Sequence, residues 1–211
     1  MRVCEEDVIT EPVIPAKAGN HTAEREKPSM RTPLRCPRGD NVIIPMNDFD
    51  IHHLRTAIQV AWRAREHGNH PFGALLVDEN NQVLMRAENT VNTARDCTGH
   101  AETNLVRLAS QRYSPEQLAR CALYSSTEPC AMCAGAIHWS GIGRVVFALS
   151  ENALYEIVGP SPGHLLLPCR DVFARSQRPM EILGPSLALD AEARAVHAGF
   201  WTTAFAPPDA A

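Results

Sequence analysis

Two short segments about thirty residues apart hold the side chains in this sequence best suited to chemistry: His100-Ala101-Glu102 and Pro129-Cys130-Ala131-Met132-Cys133. Together they offer one imidazole, two thiols and one carboxylate. Cys130 and Cys133 are three positions apart, so on a helix they share a face. Pro129 suits a helix start, where free N–H groups and the helix dipole favour anionic sulfur. Three ligands of this kind leave the fourth tetrahedral position of Zn²⁺ for water, which is the mark of a catalytic rather than a structural site. Such a water has its pKa lowered to about 7. Glu102 lies only two residues from His100, too close for both to bind one metal comfortably along a helix. It is better placed to face the water and carry its proton.

Two other readings of the cysteines are open. An isolated C-x-x-C can be a redox pair, although the His-x-Glu partner argues against it. A closed structural zinc would need a fourth ligand, and Cys97 lies three residues before His100, but Glu102 would then have no role. A zinc-stabilised interaction module without catalysis is the corresponding function. Cys4, Cys36, Cys121 and Cys169 lack metal-like spacing and read as tail or core thiols.

The elements that must position these residues follow from periodicity. From Asp48 apolar residues recur at three- and four-residue intervals (Ile51, Leu54, Ile58, Ala61) until Gly68, which predicts a helix. Two strands, Gly73–Val77 and Val83–Glu88, flank the turn-rich Asp78-Glu79-Asn80-Asn81 and predict an antiparallel hairpin. A loop over 89–99 leads into a helix carrying His100 and Glu102 in its first turn. A strand over 122–125, a helix over 130–139 and a strand over 144–149 follow, then a short helix over 151–157. Residues 159–163 are a Gly/Pro loop. A helical turn over 169–175, a strand over 180–183 and a final helix over 189–201 complete the pattern. Alternating strands and helices after a hairpin predict an α/β fold, three-layer α/β/α with a mixed central sheet.

Bulk properties narrow the partners. The chain has 211 residues, enough for one domain over 46–211, and 45% are hydrophobic. Residues 1–45 are rich in proline, lack a sustained period and read as a disordered or loosely attached tail, with Met46 as an alternative start. The beginning of the chain has no apolar signal region, no stretch is long enough to span a membrane, and seven cysteines at irregular spacing are no disulfide framework. A cytoplasmic location is the expectation. Both lysines fall in the tail; residues 46–211 hold 13 Arg against 17 acids. That balance gives no global attraction to a polyanion, so the expected partner is small and a nucleic acid is disfavoured.

With these motifs in view, the chain resembles the cytidine deaminase-like superfamily, in the branch of guanine deaminases and tRNA adenosine deaminases. The resemblance covers roughly residues 50–160. It rests on Pro71-Phe72-Gly73-Ala74, Asn89, Thr98-Gly99-His100-Ala101-Glu102, Leu123-Tyr124, the run from Glu128 to Ala136 and that from Ile142 to Phe147. It implies a usually dimeric deaminase releasing ammonia from a ring, with zinc on His100, Cys130 and Cys133 and Glu102 as proton carrier. It also implies that Asn89 hydrogen-bonds the base and that backbone near Gly73, Ala74 and Ala101 lines the pocket.

Which ring is less determined. Phe72 stands where tRNA editors usually carry Val and guanine deaminases Phe. Trp139 stands where editors usually carry His and guanine deaminases often Trp, although both residues also read as ordinary core aromatics. The last helix has only Arg194 to grip RNA, whereas the 142–147 segment looks closer to the editors. The preferred reading is a free base, guanine or a related aminoazine in purine catabolism, with tRNA wobble deamination as the rival. Guanine deaminases use an acid downstream of the cysteines as proton shuttle; Glu151 and Glu156 are the candidates, each also readable as a helix-surface carboxylate. Cys97 and Gly99 depart from the Pro and Ala common in the family. Residues 159–167 and Phe200-Trp201 could form a lid.

Overall fold

The computed structural model describes residues 46–201. The tail over 1–45 therefore lies outside the described residues. Helix α1 (Asp48–Glu66) opens with a capping box: Asp50 N donates to Asn47 Oδ1 (2.9 Å) and Asn47 N to Asp50 Oδ2 (3.1 Å). Strands β1 (Gly73–Val77) and β2 (Val83–Glu88) form the expected antiparallel hairpin. Asp78 Oδ1 accepts from the N–H groups of Asn80 and Gln82, and Asn81 takes φ 63°, a conformation Asn tolerates well. The chain continues through α2 (Val91–Ala94), α3 (Ala101–Arg112), α4 (Pro115–Leu118), β3 (Ala122–Thr127), α5 (Ala131–Ser140), β4 (Arg144–Leu149), α6 (Glu151–Val158), α7 (Cys169–Phe173), β5 (Glu181–Leu183) and α8 (Asp190–Ala195).

The sheet has the order β2-β1-β3-β4-β5. β1 is antiparallel to both neighbours, while β3, β4 and β5 run parallel. The period of two along each strand divides the core. Ala74, Leu76, Leu123, Val145 and Phe147 face α3, α5 and α7, where they meet Leu105, Ala109, Ile137 and Phe173. Leu75, Val77, Tyr124, Val146 and Ala148 face α1 and α8, meeting Leu54, Ile58 and Ala193. This is the three-layer α/β/α arrangement. Gly73 is required by the α1 contact, since a Cβ there would lie 2.5 Å from the Ala57 carbonyl oxygen.

One buried ion pair ties the layers together. Arg144 donates to both oxygens of Asp50 (2.7 and 3.0 Å), and Tyr124 Oη donates to Oδ1 at 2.8 Å. Burial alone would raise the Asp50 carboxyl; the bonds from Arg144 and Tyr124 hold it below its ordinary value.

The final helix is shorter than its period predicts. After α8 the chain breaks into turns, with Gly199 at φ 69°, and His197 is fully buried. Its ring lies 5.2 Å from Phe72 and 6.1 Å from Trp201, and its Nε2 is 3.3 Å from Thr127 Oγ1. Docking these aromatics overrides the helical continuation. Burial, and then Arg65, push the His197 imidazole down to about 4. When unfolded it titrates near 6.5, so between these pH values it takes up a proton only on unfolding. Its contribution is fully present above pH 6.5 and is lost as pH falls toward 4. From pH 7 to pH 5, wild type should lose about 2 kcal/mol more than His197→Gln in parallel denaturant titrations. Identical pH slopes would show that this ring is not held neutral.

Among the described residues no helix is long and apolar enough to cross a membrane.

Candidate active site

The carboxyl-terminal ends of β2, β3 and β4 and the start of β1 lie at one end of the sheet, because β1 is antiparallel to β3 with Ala74 opposite Ser125. The functional residues collect there, as expected for a site outside the carboxyl ends of strands. His100 is the N-cap of α3 and Cys130 the N-cap of α5, with Cys133 in the first turn of α5. These two helices pack together, which brings the two sequence segments into one donor set. His100 Nδ1 lies 3.5 Å from Cys130 Sγ and 3.6 Å from Cys133 Sγ. A tetrahedral zinc with ordinary Zn–N and Zn–S lengths separates such atoms by about 3.6 Å. The donor set fits zinc.

The chemistry of the sulfurs agrees. A hydrogen bond from Cys133 is the main cause that pushes Cys130 down to about 4, while the same bond and burial raise Cys133 well above its ordinary value. Such a pair suits a divalent cation, which displaces thiol protons when it binds. Thr103 Oγ1 lies 3.3 Å from Cys133 Sγ. Cys97 is exposed, and among the described residues the only cluster of donors close enough to share an ion is His100, Cys130 and Cys133. A closed site completed by Cys97 is not formed.

Glu102 is buried beside this set. Its Oε1 accepts from Ser125 Oγ at 2.8 Å, and its Oε2 is 3.5 Å from Cys133 Sγ. Burial, and then the Cys130 thiolate, raise its carboxyl above the ordinary value. A carboxyl so placed can both take and return a proton.

The donor set and Glu102 open onto a cavity of about 680 Å³. Its walls include His70, Phe72, Glu128, Glu151, Tyr155 and Trp201, with the chain from Pro160 to Leu165. Burial, and then nearby His100, lower the His70 pKa and favour its neutral ring. Glu151 is pushed up to about 7, by burial first and against a 2.8 Å hydrogen bond from Tyr155 Oη, with Glu128 adding to the rise. Tyr155 stacks on His164 at 3.9 Å. Glu128 accepts from Glu151 N and Cys169 N, both at 3.1 Å, and so holds the starts of α6 and α7 against the corner that carries Cys130.

The structure separates the remaining predicted residues. Glu151 lines the cavity, whereas Glu156 points to the surface and pairs with Arg194 at 3.2 Å. Trp139 is 86% exposed on the outer face of α5 and does not line the cavity. Neither the core nor the pocket reading of that residue matches its position in the chain. Gly73, Ala74, Asn89 and Ala101 are outside the lining; Ala74 of β1 and Ala101 of α3 lie in the core between sheet and helix. Asn89 is fully buried, with its N–H bonded to Phe72 O (3.1 Å), its Oδ1 accepting from Val91 N (3.0 Å) and its Nδ2 without a partner. That orphan donor is an expensive one to bury unless something fills it. The sequence reading assigned no role to His70, Ser125, Glu128 or Tyr155. For Ser125 a signal existed: a hydroxyl at a core-facing strand position, two residues after Leu123.

Comparison with known proteins accords with this geometry. Residues 47–149 match the family model described as the cytidine and deoxycytidylate deaminase zinc-binding region. A probable cytosine deaminase of Schizosaccharomyces pombe is 43% identical over 159 residues, covering 74% of this chain and 94% of that protein. A guanine deaminase of Bacillus subtilis is 38% identical over 86 residues, 41% of this chain and 54% of that protein. A solved structure from work on A-to-I editing by tRNA A34 deaminases superposes with a TM-score of 0.55 at 26% identity, covering 69% of this chain and 99% of the other. With a matched zinc-binding region, a relative aligned over nearly its whole length and the donor set in place, the chain belongs to the cytidine and deoxycytidylate deaminase family and is a zinc-dependent hydrolytic deaminase.

Proposed function

We propose that the substrate is a free amino-substituted nucleobase, which loses its exocyclic amine as ammonia and gains a carbonyl. The observation that carries this reading is the placement of Glu102, with one oxygen held by Ser125 and the other beside Cys133, where the metal donors open onto the cavity. His100, Cys130 and Cys133 would hold the zinc ion, whose chemistry when bound would be to acidify a water for use as nucleophile. Glu102 takes one proton from that water and delivers it to the ring nitrogen next to the amine-bearing carbon as the hydroxyl adds to that carbon. It then carries the hydroxyl proton to the amine, which leaves as ammonia while the carbonyl forms and the ring nitrogen keeps its proton. Phe72 and Trp201, in the cavity wall, offer aromatic rings to stack on the base.

The ring itself is chosen between guanine and cytosine. Phe72 in the cavity wall supports guanine, but Trp139, the second residue behind that preference, lies outside the wall. The specific observation favouring cytosine is the probable cytosine deaminase aligned over 94% of its length. The two rings share the reacting cyclic amidine. RNA is disfavoured, because Arg194 in α8 is already paired with Asp190 and Glu156. We also propose a homodimer through the outer face of α5, where Met132, Gly135, Ala136 and Trp139 form an apolar stripe at helical spacing. Ammonia release should be measured across cytosine, guanine, adenine, aminotriazines, the matching nucleosides and an anticodon stem-loop. Turnover is expected on a free base and none on the stem-loop; a response to RNA alone would overturn the free-base assignment.

A further inference from the structure

We propose that Ser125 is a positioning residue for Glu102, fixing which carboxylate oxygen is free to move protons. The proposal rests on Glu102 being the proton carrier. Glu102 is in the first turn of α3 and reaches the site on a flexible side chain, whereas Ser125 sits in β3, hydrogen-bonded on both sides within the sheet. Its register partners are Ala74 on β1 and Phe147 on β4, so its backbone cannot shift without moving three strands. The two-residue period that points Leu123 at α3 and α5 points Ser125 the same way. Ser125 is 1% exposed, and its hydroxyl donates to Glu102 Oε1 at 2.8 Å.

A carboxylate is acceptor-only, so the Ser125 hydroxyl must be the donor. Oε1 is thereby occupied. Oε2 has only the longer contact from Cys133 Sγ, at 3.5 Å, and is the oxygen we assign to the reacting water. Without the bond the carboxylate can rotate about its last torsion, which is soft and roughly two-fold. Either oxygen, or neither, would then face the water. An ångström of misplacement in a reacting group is enough to lower a rate by about a hundredfold.

Three substitutions read this out. Ser125→Thr keeps the hydroxyl, Ser125→Val replaces it with a methyl of the same shape, and Ser125→Ala removes it without adding volume. Any crowding from the larger side chain is common to Thr and Val, so their comparison isolates the hydroxyl. The substrate is the free base that gives the fastest ammonia release in the panel proposed above, and zinc content and melting temperature are measured for every variant. The expected result is kcat lowered about 10- to 100-fold in Ala and Val, KM within about twofold of wild type, zinc retained, and kcat restored in Thr relative to Val. A residue serving only to satisfy a buried carboxyl would shift the melting temperature and leave kcat unchanged. Equal kcat in Thr and Val, or Ala within about twofold of wild type, overturns the proposal. Glu102→Gln run alongside separates the two claims: if it is active the proton-carrier assignment fails, and if it is inactive while Ala is unimpaired only the role of Ser125 fails.

Discussion

Glu102→Gln is expected to lower kcat by about 10²- to 10⁴-fold, the range over which a positioned acid–base group accelerates a reaction, while the protein still binds one zinc per chain. Glutamine has the shape of glutamate and its carbonyl oxygen can accept from Ser125 as Oε1 does. It cannot take a proton from water at any working pH. The fold should not suffer, and should gain a little stability. Glu102 is buried and its charged form is disfavoured first by that burial and then by the Cys130 thiolate, so a neutral side chain relieves both penalties. Turnover, metal content and thermal unfolding of the same preparation decide the matter. Wild-type turnover in the glutamine variant would remove Glu102 from the chemistry.

Removing the metal should cost activity entirely and stability in good part. Cys133 is fully buried, Cys130 is driven toward thiolate, and Glu102 lies between them and Ser125. A bound divalent cation would balance that concentration of acidic groups. A ligand present at a thousandfold over its dissociation constant adds about 4 kcal/mol to the folded state. For a domain of this size that corresponds to a melting temperature on the order of 10 °C higher. Dialysis against a chelator should therefore abolish ammonia release and lower the melting temperature by that order, with both restored by added Zn²⁺. Cys133→Ala should behave as the chelated protein and fail to recover. A chelated protein that keeps its rate would exclude the zinc-dependent mechanism.

The donor residues could be read without a structure because their information is local. A three-residue cysteine spacing fixes a shared helix face, and His100 two positions before Glu102 assigns one to metal and the other to proton. The hairpin was equally local, its turn written in Asp78 and Asn81. Trp139 was misplaced for the opposite reason. α5 is apolar on every side, so its pattern does not say which face meets the sheet. The faces differ only in three dimensions, where Ala134 and Ile137 are buried and Met132 and Trp139 are not. Glu151 and Glu156 lie on one short helix five residues apart, and only the Tyr155 contact and the Arg194 pair distinguish them. α2 and α4 are each four residues long, too short to show a period. The end of the last helix was lost to His197 and Trp201, whose docking against Phe72 is a contact made across about 125 residues of chain.

Glu128 has a consequence for how this enzyme can diversify. One carboxylate anchors the first residues of α6 and α7 while its own neighbours, Pro129 and Cys130, begin the metal corner. Changes at the roots of those helices therefore disturb the catalytic machinery. The segment from Pro160 to Leu165 lines the same cavity, but the contacts seen there are a ring stacking on Tyr155 and turns within the segment. New preferences for one heterocycle over another can accumulate in that segment without touching the hydrolytic apparatus. A library confined to residues 160–165 should therefore explore substrate range at little risk to turnover.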